Sequence, residues 1–259
     1  DGIRDSSTSR GLGDVYKRQV HIYTDGSIRL GHGGTEMGQG LFIKIAQVIA
    51  DVFSVSIDKI ELATTTTYEV PNTSATAASS GSDINGMAAY DAAMKIKKRM
   101  SKVASDYFEV PIKEVIFEDE LIKCNNKTIT FSELAQLTWS KRVSLSATGF
   151  YKTPKIHWDQ SLMKGKPFFY YRWGASFSEV VIDTFTGESN VLKSDIVQDC
   201  GLSMNPKIDI GQIEGAFIQG LGWLTCEELF WNNNGKLMTT GPSTYKIPGS
   251  RDMPNSLNF

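Results

Sequence analysis

"VHIYTDGSIRLGHGGTEMGQGLFIKIAQVIADV", Val20 to Val52, carries three kinds of local order in succession. Val20, Ile22 and Thr24 alternate into an Asp25-Gly26 pair, and Ile28 and Leu30 lead away from it, a pattern that predicts a β-hairpin. Leu41, Ile45, Val48 and Val52 then recur at helical spacing. Between hairpin and helix stands "GGTEMGQG", Gly33 to Gly40, half glycine yet carrying Glu36, Met37 and Gln39. Glycine costs backbone entropy and returns freedom to turn or to let something approach closely.

The remaining chain repeats this interleaving. "KIELATTT" predicts a short strand, and "NTSATAASSGSD" is a run of small residues ending at Asp83. A helix follows, with Ala89, Ala93, Ile96, Met100 and Val103 on one face and Lys95, Lys97, Lys98 and Arg99 largely off it. "VIFEDELIKCNNKTITFSEL" predicts two short strands around an Asn-Asn turn, then a helix starting near Ser132. "VSLSATGFY" and the segment Phe168 to Gly201 are β-rich, the latter with a Thr186-Gly187 turn. A long helix is predicted from about Asn205 to Cys226, and "EELFWNNNGKLMTT" closes with an Asn-Gly hairpin. The fold class is α+β, mixed or antiparallel sheets with packed helices, in two lobes of roughly 20–140 and 141–259.

Composition excludes several functions. The 259 residues are 41% hydrophobic with a net charge of −2, enough for a buried core and without a basic footprint for nucleic acid. No apolar run reaches the ~20 residues of a membrane span. Cys124, Cys200 and Cys226 form no CxxC and no even-numbered framework, which points to free thiols in a reducing, cytoplasmic setting. His21, His32 and His157 have no metal-ligand spacing. Neither a P-loop nor a strand-framed G-x-G-x-x-G is present. Residues 1–19, polar and Ser/Arg-rich, read as a flexible tail or, in preference, as non-native adaptor sequence, and are expected to make no core contacts.

Three predicted helices begin with the same chemistry. A helix N-terminus exposes unpaired N–H groups and partial positive charge, and small preceding residues let an anion come close. Gly38-Gln39-Gly40 precedes the first helix, Ala77-Ala78-Ser79-Ser80-Gly81 the second, and Asn205-Pro206 opens the third. Gly211, Gly215, Gly220 and Gly222 lie inside that third helix, each costing roughly 1 kcal/mol relative to Ala. Close packing or a ligand against the backbone would offset that cost. Gln212, Gly215 and Gln219 fall near one stripe.

"HIYTDGSIRLGHGGTEMGQG", "VPNTSATAASSGSDING", "LSATGFY", "DIGQIEGAFIQGLG" and "GPSTYKIP" occur here in one order. Together they resemble the C-terminal half of the molybdenum-binding subunit of xanthine dehydrogenases and aldehyde oxidases, from Val20 to Phe259. The resemblance implies a molybdenum–molybdopterin cofactor held without direct protein ligands to the metal. It implies oxidative hydroxylation of purines or other N-heterocycles, or oxidation of aldehydes, with water as oxygen source. Electrons would leave through iron–sulfur clusters to FAD on other domains or subunits. By motif, Met37, Gly38 and Gln39 resemble one cofactor-contacting stretch, Thr76, Ala78 and Ser79 a second, and Gln212 an amide on the third helix. Ala77 and Ala78 would border the substrate pocket. Gly81 departs from members that carry serine there. The family's glutamate base belongs to a "GEPP"-like motif beyond Phe259, so no catalytic residue is assigned. An upstream molybdenum domain is expected as partner, and the 259-residue chain alone is expected to be an inactive fragment. Glu36 is read as a structural acid at the helix entry. The alternative is a non-catalytic scaffold that keeps the fold.

Overall fold

Hydrogen-bonded pairing groups the chain differently from the order in which its elements follow one another. The computed structural model describes residues 16–66, 68–70, 76 and 79–259. They divide into two compact units, the first ending at Phe169 and the second spanning Tyr170–Phe259.

In the first unit β1 (Tyr16–Ile22) and β2 (Ile28–Gly31) form the predicted hairpin, Val20 opposite Leu30 and Ile22 opposite Ile28. Gly26 at φ 85° turns the chain, and Asp25 accepts the Ser27 N–H at 2.9 Å. Helix α1 (Leu41–Phe53) leads to β3 (Ile60–Leu62), which joins β2 in parallel. β7 (Ser146–Tyr151) pairs with the other edge of β1, giving the order β3-β2-β1-β7. That pairing draws residues beyond 140 into the first unit. It also takes in Tyr16 to Gln19, the end of the segment read as foreign. Ladder bonds are made by backbone, so a stretch without apolar pattern can still join a sheet. Residues 1–15 lie outside the described residues.

α2 (Gly81–Phe108) packs on β1, β7 and α1. Its predicted face is buried, with Ala89, Ala93, Ile96 and Met100 at 0% exposure and Val103 at 8%, and Ala88 and Ala92 are buried beside them. The alanines have a specific cause. A Cβ added to Gly149 of β7 would stand 1.8 Å from the Ala88 carbonyl oxygen and 2.6 Å from the Ala92 nitrogen. Helix and strand backbones therefore touch, and only small residues permit it.

The segment predicted as two strands contains three: β4 (Val115–Glu118), β5 (Leu121–Cys124) and β6 (Lys127–Thr130), all antiparallel. The first turn is made by Asp119 and Glu120 at φ 50° and 61°, left-handed positions without the expected glycine or asparagine. The Glu120 N–H donates to the Ser54 carbonyl at 2.7 Å, which ties that turn to the end of α1. α3 (Phe131–Ser140) starts in a capping box of Thr130 and Glu133. A short pair, β8 (His157–Asp159) with β9 (Lys164–Lys166), completes the unit.

The second unit has β10 (Gly174–Ile182) antiparallel to β11 (Ser189–Gln198), with β12 (Ser256–Asn258) parallel to β11. Helix α4 (Pro206–Thr225) follows the predicted N-cap, Asn205 accepting the Ile208 N–H at 3.3 Å. A Trp231–Leu237 bridge, with Gly235 at φ 75°, marks the closing hairpin. No helix among the described residues is long and apolar enough to cross a membrane.

Candidate functional site

Side chains, rather than backbone ladders, hold the glycine segment between β2 and α1. The Gly34 N–H donates to His32 Nδ1 at 3.2 Å, and the Gly34 carbonyl accepts from Thr65 Oγ1 at 3.1 Å. The Thr35 N–H donates to Thr76 Oγ1 at 2.8 Å. Gln39 spans the loop, its Oε1 accepting the Met37 N–H at 2.6 Å and its Nε2 donating to the Thr35 carbonyl at 2.8 Å. One Glu36 oxygen accepts from Gly38 and Gly40, both at 2.9 Å, and the other accepts the Phe42 N–H at 2.9 Å. Nearly every peptide from Gly34 to Gly40 thus has a side-chain partner, which makes the loop rigid although it is rich in glycine.

The glycines divide by purpose. A Cβ at Gly34 would lie 2.6 Å from Leu41 Cδ2 and 3.3 Å from His32 Nδ1, so this position must stay small. Gly38, at φ 101°, has nothing among the described residues within 4 Å of an added Cβ. Beside it Met37 is 70% exposed. The outer face of the loop is therefore open backbone next to a bare thioether, while its inner face is packed.

Glu36 changes the reading of the first helix start. Its burial opposes ionisation, and the N–H groups of Phe42, Gly40, Gly38 and Gln39 outweigh that, holding the carboxyl below its ordinary value. The α1 N-terminus is thus met by an acid of the chain itself, as a structural cap. The expectation that glycines there admit an external anion to α1 is corrected by these bonds. Asn205 caps α4 in the same internal way. The start of α2 differs, because its N-cap Ser80 makes no side-chain cap bond and Ser79 before it is exposed with φ 50°.

Two of the three helix starts meet inside the first unit. The Thr35–Thr76 bond joins the glycine loop to the small-residue run. Gly34 and Gly81 both face Leu41 and the Asn85 amide. Asn85, 2% exposed, donates to the Gly81 carbonyl, and its Oδ1 has no hydrogen-bond partner among the described residues. Met37, Gly38, Gln39, Thr76 and Ser79 therefore belong to one neighbourhood. Ala77 and Ala78 lie outside the described residues. Gln212 is an exposed residue of α4 in the second unit. Gly222 of that helix is packed, an added Cβ meeting Glu227 Oε1 and Pro248 Cδ at 2.4 Å, whereas Gly211, Gly215 and Gly220 would meet nothing within 4 Å among the described residues. Close packing within the described chain explains only Gly222.

Sequence reasoning missed His32 and Thr65 as loop supports. A histidine beside the glycines was visible, but the use of its ring nitrogen was not. The engagement of both ends of the Gln39 amide within the loop was not visible in the sequence either. Among the described residues no group of three or more His, Cys, Asp or Glu side chains could hold a metal ion.

Residues 5–254 match the family model described as "Molybdopterin cofactor-binding domain". Xanthine dehydrogenase of Dictyostelium discoideum is 47% identical over 242 residues, 92% of this chain and 16% of that protein. Xanthine dehydrogenase/oxidase of Felis catus is 47% identical over 236 residues, 91% of this chain and 16% of that protein. The chain thus spans about a sixth of the length of these curated relatives. Among solved structures, quinoline 2-oxidoreductase from Pseudomonas putida 86 superposes with TM-score 0.80 at 24% identity, over 95% of this chain and 31% of that one. Aldehyde oxidoreductase from Desulfovibrio desulfuricans gives TM-score 0.72 at 21% identity, over 95% and 24% of the two chains. At these identities the superpositions show a shared fold.

Proposed function

Because the chain belongs to the molybdopterin cofactor-binding domain family, we propose that its glycine loop and the start of α2 are the places where the first unit meets the pterin and its phosphate. The observation that carries this reading is the loop with a side-chain-fixed inner face and an open backbone face at Gly38. The residues fit such a group. Gly38 leaves room for close approach among the described residues, Thr76 Oγ1 is bonded to the loop at Thr35, Ser79 stands two positions before α2, and Ser80 leaves α2 without its own side-chain cap. Both starts stand near an acid of the chain, Glu36 at α1 and Asp83 in the first turn of α2, and α2 differs in that its N-cap Ser80 makes no side-chain cap bond. Gln39 serves by holding the loop in shape. By motif, Ala77 and Ala78 are assigned to the substrate and Gln212 to the cofactor.

When bound, the cofactor supplies two-electron oxidation chemistry, and this chain's residues bind and orient it. The substrate class is a purine, another N-heterocycle or an aldehyde, in keeping with the names of the relatives and structural neighbours. An upstream molybdenum domain completes the site, and iron–sulfur and FAD domains or subunits take the electrons. Free thiols at Cys124, Cys200 and Cys226 are consistent with a cytoplasmic setting. The 259-residue chain by itself does not turn over substrate.

The test is a chimera in which this chain replaces the matching segment of a curated relative. Gly38→Val places a branched side chain on the open face, and Ser79→Asp places an acid at the α2 start. Each is expected to lower bound pterin and molybdenum at least about ten-fold, the size of one lost charge-assisted contact, with circular dichroism unchanged. Full pterin content in both variants overturns the reading.

A further inference from the structure

We infer that His32 is a positioning residue for the glycine loop, acting through the Gly34 peptide as a neutral hydrogen-bond acceptor. The inference rests on the reading of that loop as a cofactor contact. It goes beyond it by naming the group that sets the loop's inner geometry.

His32 is 0% exposed. Its Nδ1 accepts the Gly34 N–H at 3.2 Å, within the buried part of the unit. An Nδ1 that accepts must carry a lone pair, so the ring proton of the neutral imidazole sits on Nε2. The ring stands edge-on to Phe42, centroids 4.6 Å apart and planes at 89°. Phe42 in turn gives its N–H to Glu36. The imidazole thus touches both ends of the loop, at Gly34 by a hydrogen bond and at Phe42 by ring packing. The Gly34 peptide is confined on its other sides. Leu41 stands 2.6 Å from where a Cβ would be, and Thr65 holds the carbonyl at 3.1 Å. A buried imidazole is retained at such a place when its Nδ1 is used, since an apolar residue would fill the volume but leave the Gly34 N–H without its acceptor. The exposed span of Met37 and Gly38 is hung between these two anchored ends.

Two substitutions separate this role from simple filling of the core. The Oδ1 of asparagine stands as many bonds from Cα as the Nδ1 of histidine, whereas the Oε1 of glutamine is one bond further out. In the 259-residue chain, amide hydrogen exchange at Gly34 and Thr35 is expected to speed up about ten-fold in His32→Gln and to stay within about three-fold of the parent in His32→Asn. Nitrogen NMR of His32 in the parent is expected to show the tautomer protonated on Nε2. Unchanged Gly34 exchange in both variants, or equal acceleration in both, overturns the inference. So does a parent ring protonated on Nδ1, a result that stands even if a variant fails to fold. All of these measurements are made without cofactor, so they judge the clamp separately from the pterin reading, which the chimera judges.

Discussion

The first unit buries one side of every long helix, and the second buries almost nothing of its own. α2 sets a continuous apolar face against β1, β7 and α1. α4, only eight residues shorter than the 28 of α2, has Gly222 as its sole buried residue. Trp223 and Leu224 at its end are 76% and 82% exposed. β10 is exposed along its whole length. The contrast teaches that helix formation and core formation are separate achievements. α4 has its N-cap, its N1 proline and its length, and among the described residues it is buried only at Gly222.

Glycines give the sharpest way to break that comparison. In the first unit Gly149→Ala drives a Cβ to 1.8 Å from the Ala88 carbonyl oxygen. Backbone cannot yield as a flexible side chain can, so a loss of about 3 kcal/mol or more is expected in urea unfolding of the chain. In the second unit Gly215→Ala meets nothing within 4 Å. It should slow exchange of the α4 amides, by the roughly 1 kcal/mol that alanine gains over glycine in a helix. A mild Gly149→Ala, or a destabilising Gly215→Ala in the isolated chain, removes the distinction between a packed and an open glycine.

What could be read in advance follows from which forces are local. The hairpin at Asp25-Gly26 and the α2 face from Ala89 to Val103 were legible because period and turn residues act over a few positions. The Gly149 contact was not, since its partners lie some sixty positions earlier on another element. β4 was missed because Asp119 and Glu120 turn without glycine, held instead by Ser54 from a distant helix end. At the site, Glu36 was legible as a structural acid from its place before a helix. The engagement of Gln39, His32, Thr65 and Thr76 with the loop backbone was not, because the pairing of a side chain with a particular peptide depends on folded geometry.

The glycine loop allows a smaller test within the first unit. Glu36 is held below the ordinary carboxyl value of 4.5 in the folded chain, where burial raises it and the N–H groups of Phe42, Gly40 and Gly38 lower it more. A group with a depressed folded value contributes stability that is complete above its unfolded value and is lost as pH falls through the lowered one. Protection of the Gly38 and Gly40 amides, corrected for intrinsic exchange, should therefore decline below about 4.5. In Glu36→Gln the protection should be weaker at neutral pH and should lack that decline. An identical acid decline in Glu36→Gln would assign the loop's pH response to another group.

The smallest expected effects come from the helix caps, where the two units are most alike. Thr130 accepts the Glu133 N–H at 3.2 Å in its capping box, and Asn205 accepts the Ile208 N–H at 3.3 Å. Local chemistry makes the two bonds nearly equivalent, each worth about 1 kcal/mol against alanine. What surrounds them is not equivalent. α3 buries Phe131, Leu134 and Ala135, so its first turn opens only when the first unit gives way. Thr130→Ala should therefore appear as lower global stability in urea. The first turns of α4 hold no buried residue, so the loss in Asn205→Ala should stay local. It should speed exchange at Ile208 and its helical neighbours about five-fold while leaving the urea midpoint in place. If Asn205→Ala instead shifts the midpoint as much as Thr130→Ala does, α4 unfolds together with a core, and the second unit is more cooperatively built than its exposed faces indicate.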